Sequence, residues 1–231
     1  MNKIYGQIHS PGNEPSAITV GAVNTFGTDT RFDDVITSYS SRGPTRSFYT
    51  DTDGVRHFDN LVKPDLVAPG NKIIAAQAYN NLLVTSEPTL DANTSNDPLR
   101  KQMYLSGTSM ATPATAGAAA LMLQANPNLT PNLVKALLMY SSQTIKGANT
   151  LEQGAGNLNV DGAVSLAKIV RQDLTASTPV GSALLTTETP DPQSTFNNET
   201  FAWGQGVITD HSFATGSNLI TNIREFITSA F

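Results

Sequence analysis

A serine followed directly by an apolar run is the feature of this sequence with the clearest chemical potential. Ser109 lies in GTSMATP, residues 107–113, and an alanine-rich run follows from Ala114 to Ala125. A serine on a glycine-flanked turn that opens into a helix lies beside the free N–H groups of the first helical turn. Such N–H groups can stabilise an oxyanion, so this is a suitable place for a nucleophile. The ordinary alternative is a serine that only caps a core helix.

The elements that must position Ser109 are indicated by apolar runs and turn residues. A helix is predicted from Met110 to Ala125, apolar nearly all round and therefore covered on all sides within a domain. Pro113 suits its first turn, where a missing N–H costs little. Short apolar runs bounded by turn residues predict buried strands at 17–23, 63–70 and 73–76. Two further helices are predicted, one from Pro131 with Thr130 as its cap and one over 160–170.

Polar segments between these elements predict loops. Residues 45–62 are interpreted as a surface insertion with a hairpin tip at Asp53-Gly54, and residues 80–102 as a long surface loop. Residues 175–198 are rich in Thr, Ser and Pro and predict a linker. The single tryptophan, Trp203, and an apolar ending at 219–231 follow it.

Four blocks in a fixed order carry a family resemblance. They are PGNEPSAITVGAV (11–23), SYSSRGP (38–44), KPDLVAPG (63–70) and GTSMATP (107–113), the last followed by AGAAALML. In this order the blocks resemble those of the subtilisin-like serine proteases, the subtilases, over roughly the first 165 residues. The competing G-x-S-x-G elbow of the α/β-hydrolases does not fit, because Ala111 stands where the second glycine belongs.

The resemblance implies a partial subtilisin-like fold. It is of the α/β class, a mostly parallel sheet with helices on both faces. Residues 1–170 correspond to the C-terminal part of the peptidase domain, and residues 171–231 to a linker and a C-terminal extension of unknown role. The chain thus resembles the C-terminal half of a catalytic domain, and the missing N-terminal half is its first predicted partner.

The resemblance also assigns site residues. Ser109 corresponds to the nucleophile, and His9 and Gly12 to the floor and wall of the pocket that holds the substrate side chain. An ordinary solvent-facing loop is the equal alternative for His9. The family's catalytic Asp and His and its oxyanion Asn belong to upstream blocks that this chain does not contain. Asn13 resembles that Asn only superficially and is interpreted as a turn residue.

Composition narrows the possible partners. The chain has 231 residues, a net charge of −5 and no cysteine, which argues against nucleic acid and excludes disulfides and Cys-ligated metals. No apolar run is long enough to span a membrane, and residues 1–16 do not read as a signal peptide. No cofactor and no metal are expected, since the acidic loop at 51–59 lacks the spacing of an EF-hand.

These observations predict a serine endopeptidase of the subtilisin-like family that acts on polypeptides. Without the upstream residues this polypeptide alone is expected to be inactive. An extracellular location is implied by the resemblance only. The alternative is a non-catalytic pseudo-protease or binding scaffold.

Overall fold

Six short strands, a short helix and a seventh strand are followed by four helices, and two hairpins come last. The computed structural model describes residues 3–175, 177–179 and 181–215. The strands are β1 (Val20–Asn24), β2 (Val35–Ile36), β3 (Phe48–Thr50), β4 (Arg56–Phe58), β5 (Leu66–Pro69), β6 (Ile73–Ala76), β7 (Gln102–Leu105), β8 (Gln193–Phe196), β9 (Glu199–Ala202), β10 (Gly206–Thr209) and β11 (Ser212–Thr215). The helices are α1 (Leu82–Ser86), α2 (Thr108–Ala125), α3 (Pro131–Ser141), α4 (Thr150–Gln153) and α5 (Val160–Ile169), with a 3-10 turn at Pro88–Leu90.

The central sheet confirms the predicted α/β class. Strand β1 pairs in parallel with β5, Val20 lying opposite Leu66, and antiparallel with the short β2, so the order is β2-β1-β5. The strand predicted at 17–23 begins only at Val20. The backbone before it is engaged by side chains instead, since Thr19 N–H donates to Asp65 Oδ2 at 2.7 Å. One face of the sheet packs on α2, and on the other Val23 and Val67 pack against Ile145.

Helix α2 is buried along one stripe only. Ala111, Thr115, Ala118 and Met122 are buried, one residue per turn, against β1, β5 and α5. The remaining surface is open, although it is largely apolar, and Leu121 and Leu123 are 47% and 42% exposed. A helix of this composition is expected to be covered on all sides, and the elements that would cover its open face are not among the described residues. Most of the apolar surface of α2 is therefore not packed against any other described element.

Helices α3 and α5 begin where the sequence predicts. Thr130 Oγ1 accepts a hydrogen bond from Leu133 N–H at 3.3 Å, and Asn159 Oδ1 accepts one from Gly162 N–H at 3.2 Å. Such side-chain caps satisfy N–H groups that have no partner within the helix. The two helices pack on each other and on α2, which extends the core that holds α2 in place.

The two predicted surface loops contain regular structure. The insertion at 45–62 forms the hairpin β3–β4 with its tip around Asp53-Gly54, as predicted. The segment 80–102 is not an unstructured loop, because it contains α1 and the 3-10 turn, and Asn81 caps α1 by accepting from Val84 N–H. This segment connects β6 to β7, which form an antiparallel hairpin that leads into Ser109.

Two further hairpins, β8–β9 and β10–β11, lie within the C-terminal segment. Trp203 is 4% exposed and belongs to the main core, and its indole N–H donates to Ser194 Oγ at 3.0 Å. The segment predicted as a linker up to Asn198 therefore turns into a packed hairpin at Gln193, because Trp203 anchors this part on α3 and α5. The division of the chain at residue 170 stays a prediction. The apolar ending at 219–231 lies outside the described residues.

A buried charge cluster joins the loop before β1 to β5 and α3. Asp65 pairs with Lys63 at 2.8 Å and with Lys135 at 3.1 Å, and all three side chains are buried. Both ammonium groups also donate to Ala17 O. Burial lowers the pKa of Lys63, which Asp65 partly offsets. Asp65 is thus fully engaged in holding three elements together, in keeping with a structural rather than a catalytic aspartate.

A second buried carboxylate, Asp34, immediately precedes β2. Its Oδ2 accepts from Asn157 Nδ2 at 2.7 Å, whereas its Oδ1 and Asn157 Oδ1 have no partner among the described residues. Burial raises the pKa of Asp34 to about 6, although the nearby Arg31 guanidinium acts in the opposite direction. This site therefore favours the neutral carboxyl under mildly acidic conditions.

We expect the free energy of unfolding to decrease as the pH rises through about 6. Because the folded-state pKa of Asp34 is raised, its stabilising contribution is complete below the unfolded pKa of about 4 and is lost above the folded one. The substitution Asp34→Asn keeps the shape of the side chain but removes its negative charge. It should raise the free energy of unfolding near neutral pH by about 1–3 kcal/mol and flatten the pH dependence.

The measurement is the midpoint of thermal unfolding, taken at several pH values on either side of 6. Asp53→Asn is the control, because Asp53 is an exposed carboxylate at the β3–β4 tip and is not among the groups that shift the pKa of Asp34. In this control the midpoint of thermal unfolding should change with pH as it does in the unaltered chain. A slope that persists unchanged in Asp34→Asn would contradict the assignment.

Candidate active site

The turn before α2 presents Ser109 to solvent. Gly107 is the N-cap of α2 and makes no side-chain cap, so the N–H groups of the first turn have no side-chain acceptor. Gly107 O accepts from Met110 N–H at 3.0 Å, which closes the turn around Ser109. An exposed hydroxyl beside open N–H groups and the positive end of the helix dipole is the arrangement that attack on a carbonyl needs.

The four sequence blocks meet at one residue, Gly70. Gly70 O accepts from Gly107 N–H at 2.8 Å and from the Tyr39 hydroxyl at 2.9 Å, while Gly70 N–H donates to Val23 O at 3.0 Å. A Cβ at Gly70 would lie 2.8 Å from Gly107 O and 2.9 Å from the Ala22 Cβ, which only glycine avoids. The nucleophile turn is thus packed directly against the central sheet.

A second hydrogen bond fixes the same turn from the β6 side. Lys72 N–H donates to Ser106 Oγ at 2.9 Å, and Ile73 lies opposite Leu105 in the β6–β7 pair. Tyr39, Gly70 and Ser106 were not predicted as supports of Ser109. Gly70 carried a signal, since a glycine at a strand end indicates close backbone approach, whereas nothing in the sequence distinguished Tyr39.

The three histidines do not form a general base with Ser109 in the described part of the chain. The His57 ring pairs with Asp51 Oδ2 at 2.6 Å and stacks on Tyr49, both in the β3–β4 hairpin. The His211 ring is hydrogen-bonded to Asp59 O at 2.6 Å. His9 is exposed in the loop before β1.

The predicted pocket residues lie together in that same loop. Gly12 is half-buried and its carbonyl accepts from Thr19 Oγ1 at 2.6 Å. A Cβ at Gly12 would be 3.2 Å from His9 O, so the two residues are neighbours across the turn. The structure gives no substrate contact for either, and their assignment to the pocket stays a prediction. Asn13 lies in the turn at 10–13, as predicted, and its side chain donates to Ser47 Oγ at 2.7 Å.

Two further features of the described residues concern metal-binding groups of side chains and membrane-spanning helices. Among them, no group of three or more His, Asp or Glu side chains is placed to hold a metal ion. Asp51 instead accepts hydrogen bonds from Val55 N–H and Asp53 N–H. No helix in the described ranges is long and apolar enough to cross a lipid bilayer.

An α/β core with an exposed serine in the first turn of a helix is a setting in which folds with a serine nucleophile place that residue. The sequence model of the subtilase family matches residues 3–163, and the chain belongs to that family. The family's members are serine-type peptidases, and the match covers all four blocks.

Individual relatives agree with this membership. The chain is 38% identical over 158 residues to the serine protease AprX of Bacillus subtilis (strain 168), a match covering 68% of this chain and 31% of AprX. It is 35% identical over 127 residues to the subtilisin-like protease SBT1.9 of Arabidopsis thaliana, covering 54% of this chain and 14% of that protein. The matches therefore span less than a third of the length of these relatives.

Two solved structures are among those that match part of the chain. Fervidolysin from Fervidobacterium pennivorans, described as a keratinolytic enzyme related to subtilisin, aligns with a TM-score of 0.46 and 24% identity, over 68% of this chain and 20% of its own. The CspB protease of Clostridium perfringens aligns with a TM-score of 0.47 and 23% identity, over 71% of this chain and 29% of its own.

Met110, next to Ser109, is expected to make any peptidase formed from this chain and the predicted N-terminal half sensitive to peroxide. Its side chain is half-buried, whereas Met103, Met122 and Met139 are at most 2% exposed. Oxidation to the polar, bulkier sulfoxide would crowd the space beside the hydroxyl. Mild peroxide should therefore inactivate the enzyme, and Met110→Ala should keep activity and resist peroxide.

Peptide mapping during partial inactivation provides the measurement. Sulfoxide should accumulate at Met110 in step with the loss of rate. Met122→Leu is the control, because that methionine is fully buried in the same helix, and it should leave the sensitivity unchanged. Activity that falls while Met110 stays reduced would refute the assignment.

Proposed function

We propose that this chain is the C-terminal half of the catalytic domain of a subtilisin-like serine endopeptidase, with Ser109 as the nucleophile. The observation that carries the proposal is the exposed Ser109 on a turn held to the central sheet through Gly70. In this role Ser109 Oγ attacks the carbonyl carbon of a peptide bond, and the Ser109 N–H supplies one oxyanion donor. A histidine, an orienting aspartate and a further oxyanion donor come from outside the described chain.

The open face of α2 supports an N-terminal half as the first partner. Residues Ala116, Ala120, Leu121 and Leu123 are exposed on a helix whose opposite stripe is packed against the core. Apolar surface of this kind, continuous with a packed core, is typical of an interface with another part of the same domain. The catalytic histidine and aspartate would arrive with the segment that covers this face.

The substrate that the proposal implies is a polypeptide. By the family resemblance, His9 and Gly12 in the loop before β1 would border the pocket for the substrate side chain. The net charge of −5 gives no reason to expect nucleic acid as a further partner. An extracellular place of action follows from the family resemblance and belongs to the same proposal.

The test is complementation. Alone, the 231-residue chain should neither hydrolyse peptides nor react with a fluorophosphonate, because loss of triad partners costs about 10⁴-fold or more in rate. Extended at its N-terminus by a subtilase N-terminal half, it should do both. Ala120→Glu should block this gain by placing a charge in the covered face, whereas Ala202→Glu, at an exposed alanine on β9, should not.

A non-catalytic scaffold is the second candidate function. It is favoured by the engagement of His57 and His211 in contacts away from Ser109. An extended chain that folds and binds peptides, yet never reacts with a fluorophosphonate, would support the scaffold and overturn the peptidase. Labelling of the chain without any extension would contradict the need for an N-terminal half.

A further inference from the structure

We propose that Tyr39 is a positioning residue for the nucleophile turn, acting through the carbonyl of Gly70. The proposal rests on the role of Ser109 given above. The Tyr39 hydroxyl donates to Gly70 O at 2.9 Å, and the same oxygen accepts from Gly107 N–H at 2.8 Å. The hydroxyl and the nucleophile turn thus share one acceptor, so that Tyr39 bears on Ser109 without touching it.

The direction of the Gly70 carbonyl is set mainly by its hydrogen-bond donors. Gly70 has no side chain, and a Cβ there would lie within 3.2 Å of Gly107 O, the Ala22 Cβ and the Ala111 Cβ. The peptide is therefore enclosed by packing, while the direction of its carbonyl depends on the donors it meets. With donors on both lone pairs, Gly70 O is fully satisfied and its direction is fixed.

The alternative acceptor for the hydroxyl is less favourable. Asn71 Oδ1 lies 3.4 Å from the Tyr39 oxygen, and the Asn71 amide already donates to Asn24 Oδ1 at 2.9 Å. A phenol has one proton to donate, and the shorter contact to Gly70 O is the stronger bond. Asn71 then fixes the position of the 70–72 turn, whose Lys72 N–H holds Ser106 Oγ at 2.9 Å.

A change in the direction of the Gly70 carbonyl would be transmitted to Ser109 through Gly107, which lies only two residues before it. Gly107 N–H is held by Gly70 O, and Gly107 O accepts from Met110 N–H at 3.0 Å, so the Gly107 peptides set the first turn of α2. Ser109 provides both its hydroxyl and its N–H from that turn. Small errors in the placement of a nucleophile lower the rate of reaction more than the affinity for substrate.

The exposure of Tyr39 makes a clean substitution possible. The residue is 44% exposed, so its ring is not a core element, and Tyr39→Phe removes only the hydroxyl. Tyr79→Phe is the matched control, because Tyr79 is 66% exposed in the segment between β6 and β7.

The first measurement uses the full chain and does not depend on activity. Amide hydrogen exchange at Gly107 should be about 3- to 10-fold faster in Tyr39→Phe, the effect of one hydrogen bond. The Leu158 amide, which donates to Val67 O at 2.8 Å, should exchange at its original rate. Tyr79→Phe should change neither amide.

The second measurement uses the chain completed by an N-terminal half. Tyr39→Phe should lower kcat and the rate of fluorophosphonate labelling by about 3- to 10-fold, with KM changed less than about twofold. Unchanged exchange together with unchanged labelling would overturn the proposal. Slower labelling with unchanged Gly107 exchange would also overturn it, because Tyr39 would then act on the substrate directly. Faster exchange in a chain that no extension renders active would support the positioning contact and reject the peptidase.

Discussion

We expect Ser109→Ala to abolish fluorophosphonate labelling and to lower the kcat of the completed enzyme by about 10⁴-fold or more. The hydroxyl is the only group removed, and Ser109 is exposed, so the substitution opens no cavity and leaves the fold unchanged. Alanine also has a high helix propensity, so the first turn of α2 should keep its backbone conformation. The loss should therefore appear in kcat, while binding of a peptide inhibitor is retained.

Thr112→Ala is the control for this experiment. Thr112 lies one turn along the same helix, and its exposed hydroxyl donates only to Thr108 O at 3.0 Å. Its removal should leave labelling within a few-fold of the original. Circular dichroism of both variants should coincide with that of the unaltered enzyme. Labelling that survives Ser109→Ala would show that another residue is the nucleophile.

A large stability effect is expected for Gly154→Ala, with a cost above about 4 kcal/mol. Gly154 ends α4 with φ of 62°, and a Cβ there would lie 2.4 Å from the carbonyl carbon and oxygen of Asp65. Those atoms belong to backbone that cannot yield, because Asp65 O accepts from Ala155 N–H at 2.9 Å and its carboxylate holds Lys63. The whole buried charge cluster would have to move.

Gly147→Ala separates steric overlap from backbone strain. Gly147 also has a positive φ, 83°, but a Cβ there meets nothing within 4 Å. Its replacement should therefore cost only the left-handed strain of about 1–2 kcal/mol. Urea unfolding of the two variants gives the comparison, and equal losses at both positions would contradict the packing argument.

The elements that carry local signals could be predicted from the sequence. Thr130 with Pro131 and the Asp53-Gly54 tip each encode their structure within a few residues, and each was predicted in place, as was the start of α5. The turn and helix around Ser109 were predicted from contiguous residues, and the family resemblance singled out its hydroxyl, whose role as nucleophile stays a prediction. These features depend on caps and turn types, which act over one or two helical turns.

Features that depend on distant contacts could not be predicted. The segment 175–198 has a linker composition, yet its end forms β8 because Trp203 is buried against α5. Apolar residues all round α2 were correctly seen, but whether they are covered depends on the other segments present. Tyr39 gave no signal, because its hydrogen bond joins residues 31 positions apart.

The burial of Trp203 has a practical consequence for spectroscopy. It is the only tryptophan of the chain, and its indole is enclosed between Ser194 and Gly162. Intrinsic fluorescence excited at the red edge of the absorption band therefore reports on one place, the contact of the C-terminal hairpins with α5. A red shift of the Trp203 emission marks the release of those hairpins. An emission that stays unchanged while an N-terminal half binds would show that binding at the open face of α2 does not alter the contact of the hairpins with α5.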